Sequence, residues 1–124
     1  MKKNLLLIED NEQNIYLMKF LLEKNGYSFN EARNGFEGIK KALEIIPDMI
    51  LLDIQLPDID GYSVVGELKK HEELIGIPII AVTSYALAGD REKVIKAGCT
   101  GYLEKPINPD TFIGDIKKFF KSIK

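Results

Sequence analysis

Met49-Ile50-Leu51-Leu52 is an unbroken apolar run that ends in a carboxylate, Asp53. A strand with one wet face alternates apolar and polar residues. A strand with no polar position has to be covered on both faces, which is the situation inside a parallel sheet flanked by helices. Leu5-Leu6-Leu7-Ile8 repeats the pattern and ends in Glu9-Asp10. Pro78-Ile79-Ile80-Ala81-Val82 is a third such run, followed by Thr83-Ser84, and the short stretch Tyr102-Leu103 leads into Glu104-Lys105-Pro106. Buried strands that all finish in charged or hydroxyl residues gather those residues at one edge of a sheet. Like charges collected there repel one another unless a cation joins them.

Between these runs the apolar period changes from continuous to helical. Ile15, Met18, Leu21 and Leu22 recur at helical spacing within Asn11–Asn25, and Gly26 stops that helix. Tyr27–Arg33 is more polar and reads as a strand near a sheet edge. Asn34-Gly35 then opens a helix carrying Ile39, Ala42, Leu43 and Ile46, halted by Pro47. A strand over Asp48–Asp53 is followed by a Pro57-containing loop, and a helix runs from Gly61 to near Lys70. Ala86–Ala97 reads as a helix closed by Gly98, Thr100–Leu103 as a last short strand, and Pro109–Ile123 as a last helix. Five strands and five helices in strict alternation predict an α/β fold of (βα)5 type, a doubly wound parallel sheet with right-handed crossovers.

A chain of 124 residues suits one compact domain, expected here over 1–124 with no effector domain. A formal net charge of −2 gives no electrostatic argument for binding nucleic acid or a membrane surface. The single cysteine, Cys99, has no internal partner, and it reads as a small packed residue at a helix-to-strand turn. Met1-Lys2-Lys3-Asn4 precedes only four apolar residues, too few for a signal peptide, and no run reaches membrane-spanning length. A cytoplasmic location is therefore expected.

In open parallel sheets, ligands sit beyond the carboxyl ends of the strands. The loops there carry Glu9 and Asp10, then Arg33 and Asn34, then Asp53, then Thr83 and Ser84, and finally Lys105. Acids without histidine or cysteine favour a hard cation, magnesium first. A carboxylate can accept a phosphoryl group as an acyl phosphate, a lysine can balance the added charge, and a hydroxyl can bond a phosphoryl oxygen. The residue types outline a phosphoryl-transfer site.

Taken together, Ile8-Glu9-Asp10-Asn11, Asp53-Ile54-Gln55-Leu56-Pro57, Asp60-Gly61, Ala81-Val82-Thr83-Ser84, Ala97-Gly98 and Tyr102-Leu103-Glu104-Lys105-Pro106 resemble the receiver domain of two-component response regulators, in order and separation. Glu9 to Asn14, Asp53 to Pro57 and Gly98-Cys99 look most like the DivK-like single-domain regulators, and the receivers of hybrid kinases share much of the pattern. The resemblance implies a flavodoxin-like, CheY-like sheet of order 2-1-3-4-5. It implies that Asp53 is the phosphoacceptor and that Asp10, Asp53 and the backbone carbonyl of Gln55 bind magnesium, with manganese as a substitute and Glu9 acting through water. It also implies that Thr83 and Lys105 bind the phosphoryl group, that Tyr102 is a switch aromatic, and that the Lys105–Pro106 peptide is cis. The output face would include Arg91, Ile95 and Tyr102.

The function implied is a phosphorylation-controlled switch that catalyses only its own modification and hydrolysis. A histidine kinase or histidine phosphotransfer protein would be the donor, a downstream protein the target, and the chain a monomer or a phosphorylation-dependent dimer. No contact with nucleic acid or membrane is expected. Tyr85, two residues after Thr83, would slow self-dephosphorylation. A receiver excised from a hybrid kinase fits the same motifs. A magnesium-dependent phosphatase with an aspartyl nucleophile would carry a second Asp two residues on, where this chain has Gln55. A flavin carrier would need a Ser-, Thr- and Gly-rich loop after the first strand, where this chain has Glu9-Asp10-Asn11. His71 reads as a solvated residue near a helix end.

Overall fold

A computed structural model of the chain describes residues 2–84 and 88–121. Its elements alternate along the chain: β1 (Asn4–Ile8), α1 (Glu12–Lys24), β2 (Ser28–Ala32), α2 (Gly35–Ile45), β3 (Met49–Asp53), α3 (Gly61–Lys69), β4 (Ile79–Thr83), α4 (Ala88–Ala97), β5 (Gly101–Glu104) and α5 (Phe112–Lys121). All four strand pairings are parallel, and the sheet order is β2-β1-β3-β4-β5. This is the flavodoxin-like, CheY-like arrangement expected from the sequence.

The continuous apolar runs are buried on both faces, as the absence of polar alternation requires. Every residue of β3 and β4 is buried. Leu6, Ile8, Ile50, Leu52 and Ala81 face one side and pack with Ala42, Val64, Val65, Leu68 and Val94, so α2, α3 and α4 cover that face. Leu5, Leu7, Met49, Leu51, Ile80 and Val82 face the other side and pack with Ile15, Met18, Leu22, Phe112 and Ile116 of α1 and α5. The strand pleat thus divides one apolar run between two cores. β2 lies at the sheet edge, pairing with β1 alone, and only its last residue, Ala32, is buried.

Two helix ends and one added turn stand out against the sequence reading. Ile46 is not a helical residue: it leaves α2 in the left-handed conformation, φ 44°, because the following Pro47 disfavours a right-handed α conformation before it. The last helix begins at Phe112 rather than Pro109, since residues 109–111 form turns, with the Asn108 side chain accepting from the Asp110 N–H. A single 3₁₀ turn, Glu72–Leu74, buries Leu74 and was not expected. His71 precedes that turn and is half-buried rather than solvated. Ala86, the expected start of the fourth helix, Ile123, the expected end of the last one, and Tyr85 lie outside the described residues. Among the described residues no helix is long and apolar enough to cross a membrane.

Candidate functional site

β1, β3 and β4 end side by side, and their last residues set the site. Ile8 is in register with Leu52, and each is followed by an acid. Glu9 continues the ladder through its N–H to the Ala32 carbonyl, 2.9 Å away, so its side chain is held at the rim and fully buried. Asp53 is 3% exposed. Asp10 stands next to Glu9 but is exposed. Oxygens of Glu9, Asp10 and Asp53 lie within 4.8 Å of one another.

Lys105 reaches this cluster from the far side. Its N–H donates to the Thr83 carbonyl at 2.9 Å, which ties the end of β5 to the end of β4. Its Nζ lies 3.0 Å from Glu9 Oε1 and 3.1 Å from Asp53 Oδ2. The peptide bond that follows it, to Pro106, is cis. The other Asp53 oxygen, Oδ1, accepts the Gln55 N–H at 2.9 Å, so the two oxygens of this carboxylate have different partners. Thr83, 5% exposed, ends the strand next to β3.

Burial pushes the Glu9 carboxyl up to about 7, and the nearby Asp53 carboxylate pushes the same way against the opposing pull of Lys105. For Lys105 burial favours the neutral amine, but its hydrogen bond and charge interactions with Glu9 and Asp53 outweigh it and raise its pKa. Lys105 supplies one positive charge against the three carboxylates of Glu9, Asp10 and Asp53. Carboxylates gathered in excess of their counter-charge repel one another. An all-oxygen donor set of three clustered acids with a single lysine beside it is the chemistry that a hard divalent cation completes, so the residues present fit magnesium.

The remaining sequence-predicted residues fall elsewhere. Tyr102 is half-buried on β5 and packs against the α2–α4 core. The Arg91 guanidinium carbon sits 5.1 Å from the Tyr102 ring centroid, and its Nη2 is 3.0 Å from Glu104 Oε1. Ile95 lies on the same helix and is 49% exposed. Arg91, Ile95 and Tyr102 thus belong to an α4–β5 face, apart from the acids. Helix α1 is capped by Asn11, whose side chain accepts from the Asn14 N–H at 2.9 Å, which leaves Asp10 out of the cap.

One residue the sequence placed at this rim turns away from the acids, and one contributor escaped the sequence reading. Arg33, after β2, pairs with Glu12 at the start of α1 and with Glu31. Asp58, in the loop after β3, accepts from the N–H groups of Gly35 at 2.8 Å and Phe36 at 2.9 Å, the first two residues of α2. Slight burial acts to raise the Asp58 pKa, but backbone N–H groups, those of Phe36 and Gly35 foremost, outweigh it and hold the carboxyl below its ordinary value. The only local signal was an acid in a turn, which says nothing about a helix start 23 residues away.

Residues 5–117 match the response regulator receiver domain. The polar-differentiation response regulator DivK of Brucella anthropi is 44% identical over 119 residues, covering 96% of this chain and 97% of its own length. DivK of Brucella ovis matches to the same extent. A receiver domain of a sensor histidine kinase from Pseudomonas aeruginosa, solved with a magnesium ion coordinated in its active site cleft, superposes with a TM-score of 0.88 at 33% identity, covering 98% of this chain and 99% of that one. The chemotaxis response regulator CheY4 of Vibrio cholerae has a TM-score of 0.92 at 24% identity, covering 96% and 99% of the two chains, and speaks to the fold.

Proposed function

Because the chain belongs to the response regulator receiver family, we propose that it is a signalling switch in which Asp53 accepts a phosphoryl group. The observation that carries this is the buried Asp53 carboxylate, with Lys105 3.1 Å from one oxygen and the acids Glu9 and Asp10 alongside. The donor is a phosphohistidine on a histidine kinase or phosphotransfer protein. An Asp53 oxygen attacks phosphorus, the P–N bond breaks, and the imidazole leaves and takes up a proton, so that an acyl phosphate remains on the protein. Asp53 Oδ1 is fixed by the Gln55 N–H. Oδ2 faces Lys105, and on that oxygen a phosphoryl group meets a positive charge already in place.

Asp10, Asp53 and the Gln55 carbonyl would hold magnesium directly, and Glu9 would act through a water. When bound, the ion offsets carboxylate repulsion and neutralises charge on the transferring group. Thr83 would bind a phosphoryl oxygen, and Lys105 would shift its pairing from the carboxylates to the phosphoryl group. Arg91, Ile95 and Tyr102 form the face that a downstream protein reads, through a shift between two states of α4 and β5. Residues 1–124 act as one receiver unit in the cytoplasm, and the switch turns over no external metabolite. A receiver belonging to a sensor kinase is a second reading, supported by the Pseudomonas aeruginosa relative, and it uses the same chemistry.

The test is incubation with acetyl phosphate and magnesium followed by intact-mass measurement. The expected result is one added phosphoryl group that is absent with a chelator and absent in Asp53→Asn. Undiminished labelling of Asp53→Asn would overturn the assignment.

A further inference from the structure

The proposed metal site is built from two halves. Glu9 and Asp10 follow β1, whereas Asp53 and Gln55 belong to β3 and the loop after it. Strand pairing fixes Asp53, since β3 is flanked by β1 and β4. It does not fix Gln55, which lies in the exposed connection between β3 and α3. Residues 54–60 are held at their base by the Gly61 N–H to the Ile54 carbonyl, 2.8 Å, and by the Gln55 N–H to Asp53 Oδ1. Ile54 is also tied to β4, its N–H donating to the Val82 carbonyl at 3.3 Å, and beyond Gln55 the tie to a separate element is Asp58. Its two carboxylate oxygens take one N–H each from Gly35 and Phe36, while Asn34 takes the next, Glu37, at 2.8 Å. Three unpaired amides at the start of α2 are thereby satisfied, two of them by a residue from the other half of the site.

The strut is reinforced by packing. Gly35 has no side chain where Ile59 approaches; a Cβ there would fall 2.5 Å from Ile59 Cγ1. One turn further along α2, Gly38 lets the helix lie directly on Ile8, the residue before Glu9. The path therefore runs from the Gln55 loop through Asp58 to α2, and from α2 through Gly38 to the end of β1. We propose that Asp58 is a positioning residue for the metal site: it clamps the Gln55-bearing loop to α2 and so sets the distance between the two halves of the site. The proposal rests on the reading of Asp10, Asp53 and Gln55 as the ligands.

Groups that orient metal ligands from outside commonly carry a tenfold effect or more on metal affinity. Asp58→Ala is therefore expected to weaken magnesium binding about tenfold in calorimetric titration. The magnesium concentration giving half-maximal labelling by acetyl phosphate should rise by a similar factor, with labelling at saturating magnesium largely restored. Asp58→Asn keeps one acceptor oxygen and should fall between wild type and Asp58→Ala. Asn34→Ala removes a cap from the same helix without touching the loop. It should lower urea stability while leaving the magnesium midpoint unchanged. An unchanged midpoint in Asp58→Ala, or an equal shift in Asn34→Ala, overturns the positioning role. Failure of the wild-type protein to bind magnesium overturns the ligand reading and this proposal with it, so the two failures are told apart.

Discussion

Glu9 and Asp10 are adjacent acids with opposite surroundings. Glu9 is fully buried, ion-paired with Lys105 and pushed up to about 7, while Asp10 faces solvent. The sequence showed two acids after an apolar run but not which was inside, because burial depended on Glu9 continuing the ladder beside β2. Asp60 is the simpler case of a residue whose role is local. Its oxygens accept the Ser63 N–H at 2.9 Å and the Ser63 hydroxyl at 3.1 Å, capping α3. The Ser63 N–H is the main reason its carboxyl lies below the ordinary value. A lowered folded-state pKa means that the stabilisation is present above the unfolded value of about 3.9 and is lost as pH falls through the folded value. Asp60→Ala should therefore cost about 1 kcal/mol near neutrality and progressively less in acid. Asp60→Asn, which caps without titrating, should lose that pH dependence. Urea unfolding at about pH 7 and about pH 3 measures both.

At the scale of elements, α2 is the most constrained helix. Asn34 and Asp58 hold its start, Gly38 lies against β1, and Ile46 ends it in a conformation that β-branched residues rarely adopt. Pro47 made the stop legible from the sequence. The left-handed exit was not, because no glycine marks it. The Glu72–Leu74 turn was equally hidden, being too short to show a period. Two helical glycines separate packing from propensity. Gly66 in α3 has open space around it, so Gly66→Ala should gain about 0.5–1 kcal/mol. A Cβ at Gly38 would lie 2.5–2.9 Å from three atoms of Ile8, which is fully buried. There overpacking exceeds the propensity gain, and Gly38→Ala should lose about 1–2 kcal/mol. Thermal unfolding of the two variants should shift in opposite directions.

At the scale of the whole molecule, the layers and their chirality were legible because continuous apolar runs admit few architectures. The strand order followed from the family resemblance, whereas the gathering of Glu9, Asp10, Asp53 and Lys105 at one rim followed from parallel strands that end beside them. Side-chain ties between elements distant in sequence, such as Asp58 to α2 and Arg91 to Glu104, were invisible because they exist only once the layers have docked.

The central place of β3 also bears on how the chain opens. A strand paired on both sides and buried on both faces exposes its amides only when the domain as a whole comes apart. The amides of Ile50, Leu51 and Leu52 should therefore exchange with deuterium at the slowest rates, reporting global stability. Those of Leu56 and of Asp58 to Asp60, in the loop after β3, should exchange orders of magnitude faster. Comparable rates on the two sides of Asp53, read by mass spectrometry or NMR, would contradict this. The proposed phosphoacceptor stands on the border between the two regimes, so a chemical event there reaches readily opened backbone within two or three residues without loosening the strand that carries it.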